Sequence, residues 1–369
     1  MALQAVREEA EIPSPALVID TVIADRNIQA MAKYTHGCGL ALRPHSKTHK
    51  SIEMGRRQVA AGAVGLTVAK AGEAEVMAQA TNDLLVAYPA LDPFRANRIA
   101  ELAKTCTVRV AVDSLLACDS LAQAAQTAQV TLKLLVDLDV GFHRTGVQTA
   151  QQALELSQHI DQTSGISVDG LFSFFGHIIA APQHQEDELA QVEAKIRAVI
   201  DHLHHHGIEA TTVSGGSTPT AFQSHLVPSL TEIRPGTYLY YDWISVGEGC
   251  CQIEDCAARM ICTVISNAVP GKIVLDAGSK TLTSDRHPTN PDMAGYGHIC
   301  EYPDARITRL SEEHGEVDLS QCDQRPALGE RVHVIPNHIC PCVNLQDFAW
   351  FHDGTSYEPQ PIHARGKLT

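Results

Sequence analysis

Nine short apolar runs recur through the first two-thirds of the chain and limit what it can fold into. They are "ALVID" (16–20), "GLAL" (39–42), "VGLTVA" (64–69), "LLVAY" (84–88), "VRVAVD" (108–113), "LKLLVDLD" (132–139), "DGLFSFF" (169–175), "TTVSGG" (211–216) and "LTEIRPG" (230–236). Between most of them lie stretches with helical spacing, such as "DSLLACDSLAQAAQTA" and "EDELAQVEAKIRAVIDHLHHHG". Continuous apolar strands separated by helices predict a parallel sheet covered on both faces. With the first run set aside, eight remain, the number of a (β/α)8 TIM-type barrel. The first run and its helix then form an N-terminal extension. From about Gln252 the pattern changes to strand-like runs with turn residues between them, including "ARMICTVISNAV", "GKIVLDAGSK", "RVHVIPNHIC" and "FAWFHDG". The expected organisation is a barrel with its extension over 1–248 and a smaller β domain over 249–369.

Charge narrows the partners. The 369 residues carry a formal charge of −15 and a pI of about 5.6. That opposes a nucleic-acid or anionic-membrane partner, since phosphate binding needs a basic face. The N-terminal "MALQAVREEAEIPSP" has no apolar core of a signal peptide, and no uninterrupted apolar run reaches 18 residues. The eleven cysteines are odd in number and scattered, which reads as reduced thiols in a cytoplasmic protein.

Against this acidic background, "LRPHSKTHK" (42–50) places five basic or imidazole side chains directly after an apolar run. Lys47 is expected at the C-terminal end of a strand, where barrel proteins keep their chemistry. Other predicted strands also end in polar groups. "DLDVGFHRTG" carries Asp137, Asp139, His143 and Arg144, "SFFGH" ends in His177, and "RPGTYLYYD" holds Tyr238, Tyr240 and Asp242. Each alone reads as a satisfied loop or cap; together they converge on one barrel mouth. "SGGSTPT" (214–220) combines two glycines with hydroxyls where a helix is expected to start, an arrangement suited to an anion. By itself it is equally an ordinary N-cap. A lysine at one strand end and an anion cradle at another point to pyridoxal 5'-phosphate, with Lys47 on its aldehyde and the cradle on its phosphate.

Near the C-terminus, "PNHICPCVNLQD" sets His338 and Cys340 two apart in a strand-like run, so both face one way. Imidazole with thiolate suits zinc. Taken alone, the spacing is as well explained by a buried cysteine beside a hydrogen-bonded histidine. "HLHHHG" (202–207) reads as the solvated end of a helix at Gly207, and Glu73 and Glu75 as first-turn residues favoured by the helix dipole.

The ordered set "RPHSKTHK", "DVGFHRTGV", "SGGSTPT", "EIRPGTYLYYD", "LDAGSK", "EEHG" and "PNHICPCVNLQD" resembles the D-threonine aldolase and D-serine dehydratase family, from about Ser14 to Lys367. These are metal-dependent, alanine-racemase-like pyridoxal-phosphate enzymes of fold type III. The resemblance implies a cofactor-holding barrel, a C-terminal β domain and a homodimer acting on small D-amino acids. It implies Lys47 as the Schiff-base lysine, and Gly216, Ser217 and Thr218 at the phosphate. Arg144, Tyr238 and Tyr240 fall beside the cofactor. His338 and Cys340 become the metal pair, with zinc favoured by the thiolate and manganese or magnesium as the alternatives.

The resemblance also frames the reaction. Retro-aldol cleavage of a D-β-hydroxy amino acid gives glycine and an aldehyde. The alternative, dehydration of D-serine or 3-hydroxyaspartate with Lys47 as base, gives a 2-oxo acid and ammonia. Aldolases of the family typically carry His-x-Asp at the metal pair, whereas Cys340 makes it His-x-Cys, the form of the dehydratases. Pro341, Asn344, Leu345 and Asp347 follow the aldolase side. Where aldolases have a His-Gly step offered as base, this chain reads Phe175-Gly176 and the histidine follows as His177, the candidate catalytic base. A racemase using Tyr296 and a non-catalytic cofactor-binding protein are the remaining alternatives.

Overall fold

The computed structural model describes residues 4–287 and 295–369. The chain divides into two compact units. One comprises Met1–Ile28, Thr48–Lys50 and Thr237–Arg365; the other comprises Gln29–Lys47, Ser51–Gly236 and Gly366–Thr369.

The second unit is the barrel. Its strands are β2 (Ala41–Leu42), β3 (Leu66–Val68), β4 (Asp83–Val86), β5 (Thr107–Val112), β6 (Leu132–Asp137), β7 (Ile166–Phe172), β8 (Thr212–Gly215) and β9 (Glu232–Ile233). Each lies within one of the eight apolar runs or overlaps it. They are parallel and ordered β2-β9-β8-β7-β6-β5-β4-β3. The ring closes where Ser46 N donates to Thr67 O and Thr67 N to Pro44 O, each at 2.8 Å.

Alternate residues on each strand share a face, so the barrel interior is layered. The lowest layer is ionic: Arg43 binds Glu232 and Asp83, Arg109 binds Asp83 and Asp169, and Lys133 reaches Asp169. Two residues further along β4, β5 and β6, and three along β7, where the register shifts, lies an apolar layer of Leu85, Ala111, Leu135 and Phe172. The next step brings the chain to the C-terminal strand ends, where Lys47, Asp137 and Gly216 stand.

The first unit is built on a nine-stranded sheet. It contains β1 (Ala16–Asp20), β10 (Ala258–Ser266), β11 (Lys272–Leu275), β12 (His298–Ile299), β13 (Arg306–Leu310), β14 (Gly315–Asp318), β15 (Arg331–Ile335), β16 (Phe348–His352) and β17 (Tyr357–Pro361). Strand β1, expected as an extension of the barrel, belongs to this sheet instead. It runs antiparallel to β10 and parallel to β16, and Ile12, Ala16, Ile261 and Trp350 form the core beneath it. Its burial partners are contributed from the far end of the chain, which local periodicity does not register. Among the described residues no helix is long and apolar enough to cross a membrane.

Candidate active site and metal pair

In the barrel, Lys47 is exposed while Ser46 and Thr48 on either side are fully buried. No hydrogen bond or ion pair among the described residues engages its amine; its backbone N–H makes one long contact to His45 Nδ1 at 3.3 Å. A lysine fixed by its neighbours and left with a free amine fits the carbonyl-capturing role. Ser46 is held by Glu73, a fully buried carboxylate that accepts from Ser46 Oγ at 3.0 Å and from Ala69 N at 2.8 Å.

The β6 end forms a rigid loop. Asp139 Oδ1 accepts from the Gly141 and His143 amides, both at 3.0 Å, and Oδ2 pairs with His143 Nδ1 at 2.7 Å. Burial opposes the charge on Asp139, but these amides and the imidazole outweigh it and bring its pKa to about 2. Asp137 behaves oppositely: burial pushes it up to about 6, with the Thr145 hydroxyl at 2.7 Å offsetting only part of that. Arg144 stacks on Phe142 and Phe174, its guanidinium carbon 5.0 and 4.8 Å from the two ring centroids.

His177 packs against Gly141. A Cβ at Gly141 would stand 2.8 Å from His177 Nε2, and the glycine φ of +135° is one that L side chains rarely adopt. His177 Nδ1 is buried without a hydrogen-bond partner. Burial lowers the imidazole pKa, which keeps the ring neutral and able to accept a proton.

The "SGGSTPT" segment follows β8. Gly216 is buried with φ +91°, and a Cβ there would make ordinary van der Waals contact with Ile233 and Ser224 at 3.8 Å, so the left-handed φ rather than crowding calls for glycine. Ser217 N donates to Thr220 Oγ1 at 3.1 Å, and the Thr218 hydroxyl accepts from Gly236 N at 3.3 Å. The helix expected here is a 3-10 helix that begins at Ala221, so the cradle is made by the turn before it. A buried Arg234 underlies the mouth. It donates to Ser214 Oγ at 2.7 Å and Ser173 O at 2.5 Å, and lies 3.7 Å over the Phe172 ring. Sequence reasoning passed over it, although the "RPG" that contains it was in view.

In the other unit, His338 and Cys340 do not lie on a strand. Strand β15 ends at Ile335, His338 is the extended N-cap of the helix Ile339–Leu345, and Cys340 is in its first turn. Pro341 is the reason: in a first helical turn its missing N–H is no loss, whereas in a strand it would break the ladder. The cap geometry nevertheless brings imidazole and thiol into hydrogen-bonding contact. Burial works against a charged imidazole, but Cys340, Asp242 and Asp285 together raise the His338 pKa to about 10. His338 Nδ1 is held by Asp285 Oδ2 at 2.8 Å, which aims Nε2 away from the carboxylate. This is the outer carboxylate that commonly orients a metal-binding histidine. Cys340 Sγ lies 3.2 Å from Thr48 Oγ1 and 3.7 Å from Thr237 Oγ1.

The loop bearing the pair is pinned by "YYDWI". Asp242 Oδ1 accepts from Ser245 N and Oγ at 2.9 and 2.6 Å, and its Oδ2 accepts from Ile339 N at 3.1 Å. Trp243 N and Ile244 N donate to Pro336 O and Asn337 O at 3.0 and 3.1 Å. Tyr238 and Tyr240 are buried, at 0% and 2% exposure. Among the described residues no three His, Cys, Asp or Glu side chains converge as metal ligands. The imidazole of His338 and the thiol of Cys340 are by their chemistry a donor pair suited to zinc.

Asp285 and Thr48 carried no sequence signal, because their partners are 53 and 292 residues away. Asp242 was legible as an N-cap three residues before Ser245. The helix Glu186–His205 does end before Gly207, as its histidine-rich tail suggested. Glu312 and Glu313 of "EEHG" both pair with Lys280, and the Tyr296 hydroxyl accepts from Arg286 at 2.7 Å.

Residues 19–242 match the alanine racemase N-terminal domain and residues 257–351 the putative serine dehydratase domain. A D-threonine aldolase from an Arthrobacter species is 29% identical over 364 residues, 97% of this chain and 94% of its own. D-threo-3-hydroxyaspartate dehydratase from Delftia sp. (strain HT23) is 30% identical over 352 residues, 89% of this chain and 91% of its own. The crystal structure of D-threonine aldolase from Filomicrobium marinum superposes with a TM-score of 0.91 at 29% identity and covers 100% of both chains. Structures of D-threo-3-hydroxyaspartate dehydratase include a histidine-to-alanine mutant and a cysteine-to-alanine mutant in the metal-free form, with TM-scores of 0.89 and 0.88 at 27% identity, each covering 95% of this chain and 95% and 97% of theirs. The two residues replaced stand two apart in that protein.

Proposed function

The chain belongs to the D-threonine aldolase and D-serine dehydratase family of alanine-racemase-like proteins, and we propose that it is a pyridoxal-phosphate- and metal-dependent lyase of D-β-hydroxy amino acids. One observation carries the reading. Thr48, the residue after Lys47, lies 3.2 Å from the sulfur of Cys340. Lys47 is thus the chain neighbour of a residue in contact with Cys340. When bound, pyridoxal phosphate supplies an electron sink for charge developing at the substrate α-carbon.

Lys47 offers a free amine to hold the cofactor aldehyde and to move the α-proton. The Gly216–Thr218 turn receives the phosphate with backbone amides and hydroxyls, and Arg144 presents its guanidinium on the β6 loop. His338 and Cys340 would hold a divalent metal, zinc by the softness of the thiolate, which when bound would supply a Lewis acid for the β-hydroxyl. His177, kept neutral by burial, is the base for the hydroxyl proton.

Retro-aldol cleavage, as in the D-threonine aldolases this chain matches over nearly its full length, is the first reading. Dehydration is the second, and Cys340 favours it, since the dehydratase whose cysteine mutant is metal-free has a histidine and a cysteine at the same two-residue spacing. The homodimer and a cytoplasmic location complete the proposal. Incubation of the purified protein with D-threonine, D-serine and D-3-hydroxyaspartate, with and without a chelator, tests it. Acetaldehyde or glyoxylate with glycine marks the aldolase. 2-Oxo acid with ammonia marks the dehydratase. Turnover unaffected by the chelator refutes the metal, and no product from any of the three refutes the reading.

A further inference from the structure

Lys47 stands on backbone that has just left the barrel sheet. His45 N still donates to Pro235 O at 3.0 Å and Ser46 N to Thr67 O at 2.8 Å. Beyond Ser46 the chain turns, and it re-enters regular structure only at the helix Ile52–Ala60, capped by Ser51. Ser46 is therefore the last residue of the ladder before the lysine, and its side chain carries a second anchor. That anchor is Glu73.

Glu73 is the third residue of the helix Ala71–Met77 and has no exposed surface. One carboxylate oxygen takes Ala69 N at 2.8 Å, just past β3, and the other takes Ser46 Oγ at 3.0 Å. Among the described residues no cation pairs with it. A buried carboxylate with only two neutral donors is costly compared with an apolar side chain. Stabilising the helix start explains the bond to Ala69 but not the one to Ser46. The bond to Ser46 ties the β2 end to the β3 end one residue short of Lys47, and consecutive Cα atoms are only 3.8 Å apart.

We propose that Glu73 is a positioning residue for Lys47, fixing the aim of its amine through Ser46. This rests on the reading of Lys47 as the cofactor lysine. A displacement of about 1 Å at a reacting group is enough to slow capture by up to a hundredfold.

The test uses the full-length chain freed of bound aldehyde. It is mixed with pyridoxal 5'-phosphate, quenched with borohydride at timed intervals, and the reduced adduct on Lys47 is read by peptide mass spectrometry. Glu73→Ala is expected to slow Lys47 labelling by roughly ten- to a hundredfold, and Ser46→Ala by less. Glu73→Gln is expected to restore most of the rate, because its oxygen can take Ala69 N–H while its amide donates to Ser46 Oγ. Asp92→Ala, which removes a cap from the helix Pro93–Leu102 in the same barrel, controls for lost stability and labels at the wild-type rate. Labelling of Glu73→Ala no slower than that of Asp92→Ala overturns the proposal. If Glu73→Ala does not fold, Ser46→Ala decides, and a wild-type rate overturns it. Absence of a Lys47 adduct on the unsubstituted chain defeats the cofactor-lysine reading and the proposal with it. An adduct there with unchanged variants defeats the proposal alone.

Discussion

Asp242→Ala removes one carboxylate that serves two helix starts at once. Its Oδ1 caps the helix Trp243–Gly247, and its Oδ2 receives the first amide of the helix that carries Cys340. Loss of an acidic N-cap costs about 1 kcal/mol. Leaving the buried Ile339 N–H without a partner costs about 1–3 kcal/mol more. Asp242 is only 2% exposed and burial raises its pKa, so deleting the charge returns part of this. The net loss expected in urea unfolding is about 2–3 kcal/mol. The portion falling on Ile339 falls on the turn that places the Cys340 sulfur, so the zinc dissociation constant should rise by roughly ten- to a hundredfold. Asp242→Asn keeps an oxygen for one helix start only and should lose about half as much in each readout. Competition against a chromophoric zinc chelator, paired with unfolding followed by circular dichroism, gives both numbers on one sample. A shifted unfolding midpoint with unchanged zinc affinity would show that Asp242 supports the fold but not the metal pair.

Two further outcomes follow from single side chains. His333 is gripped by Glu301 at 2.5 Å and Glu9 at 3.0 Å, and these bonds outweigh burial to raise its pKa to about 9. Its contribution is complete below the ordinary histidine pKa and lost as pH rises through about 9. With the ring 25% exposed, that amounts to about 1–2 kcal/mol after solvent screening. Unfolding free energy should decline from pH 6.5 to 9 in the parent and stay flatter in His333→Gln; parallel profiles would remove His333 as the cause. Gly141→Ala places a methyl 2.8 Å from His177 Nε2 and forces an L residue to φ +135°, costing about 1–3 kcal/mol and pushing the imidazole aside. kcat should fall more than KM rises, and an unchanged kcat would exclude His177 as the base.

Much of the barrel was readable because each of its strands is buried on both faces, which leaves an uninterrupted apolar run. The interior ionic layer was not. Arg43, Asp83, Arg109, Asp169 and Glu232 look like isolated surface charges until the ring closes and sets them side by side. The same limit explains β1, whose run was recognised but whose sheet was not. His338 and Cys340 were singled out by chemistry and assigned to a metal only through the family resemblance, while their backbone was misread because Pro341 signals a helical first turn only when the strand before it has already ended. Lys47 stood out by charge, but what steadies it came from Glu73, a residue indistinguishable in sequence from an ordinary first-turn acid.

The pairing of β1 with β10 and β16 also sets an order of events during synthesis. Every barrel strand has been synthesised once Ile233 is made, whereas the register of β1 needs Ala258–Ile261 and then Trp350–His352. At ordinary translation rates the segment "ALVID" waits on the order of ten seconds or more for its first partner. Throughout that interval it is an unpaired apolar strand, the kind of edge that recruits the wrong neighbour. The barrel does not need it, so a chain that loses its first twenty residues can still close the ring while leaving the other sheet without one of its central strands. The segment "ALVID" is thus made long before either of the strands that fix its register.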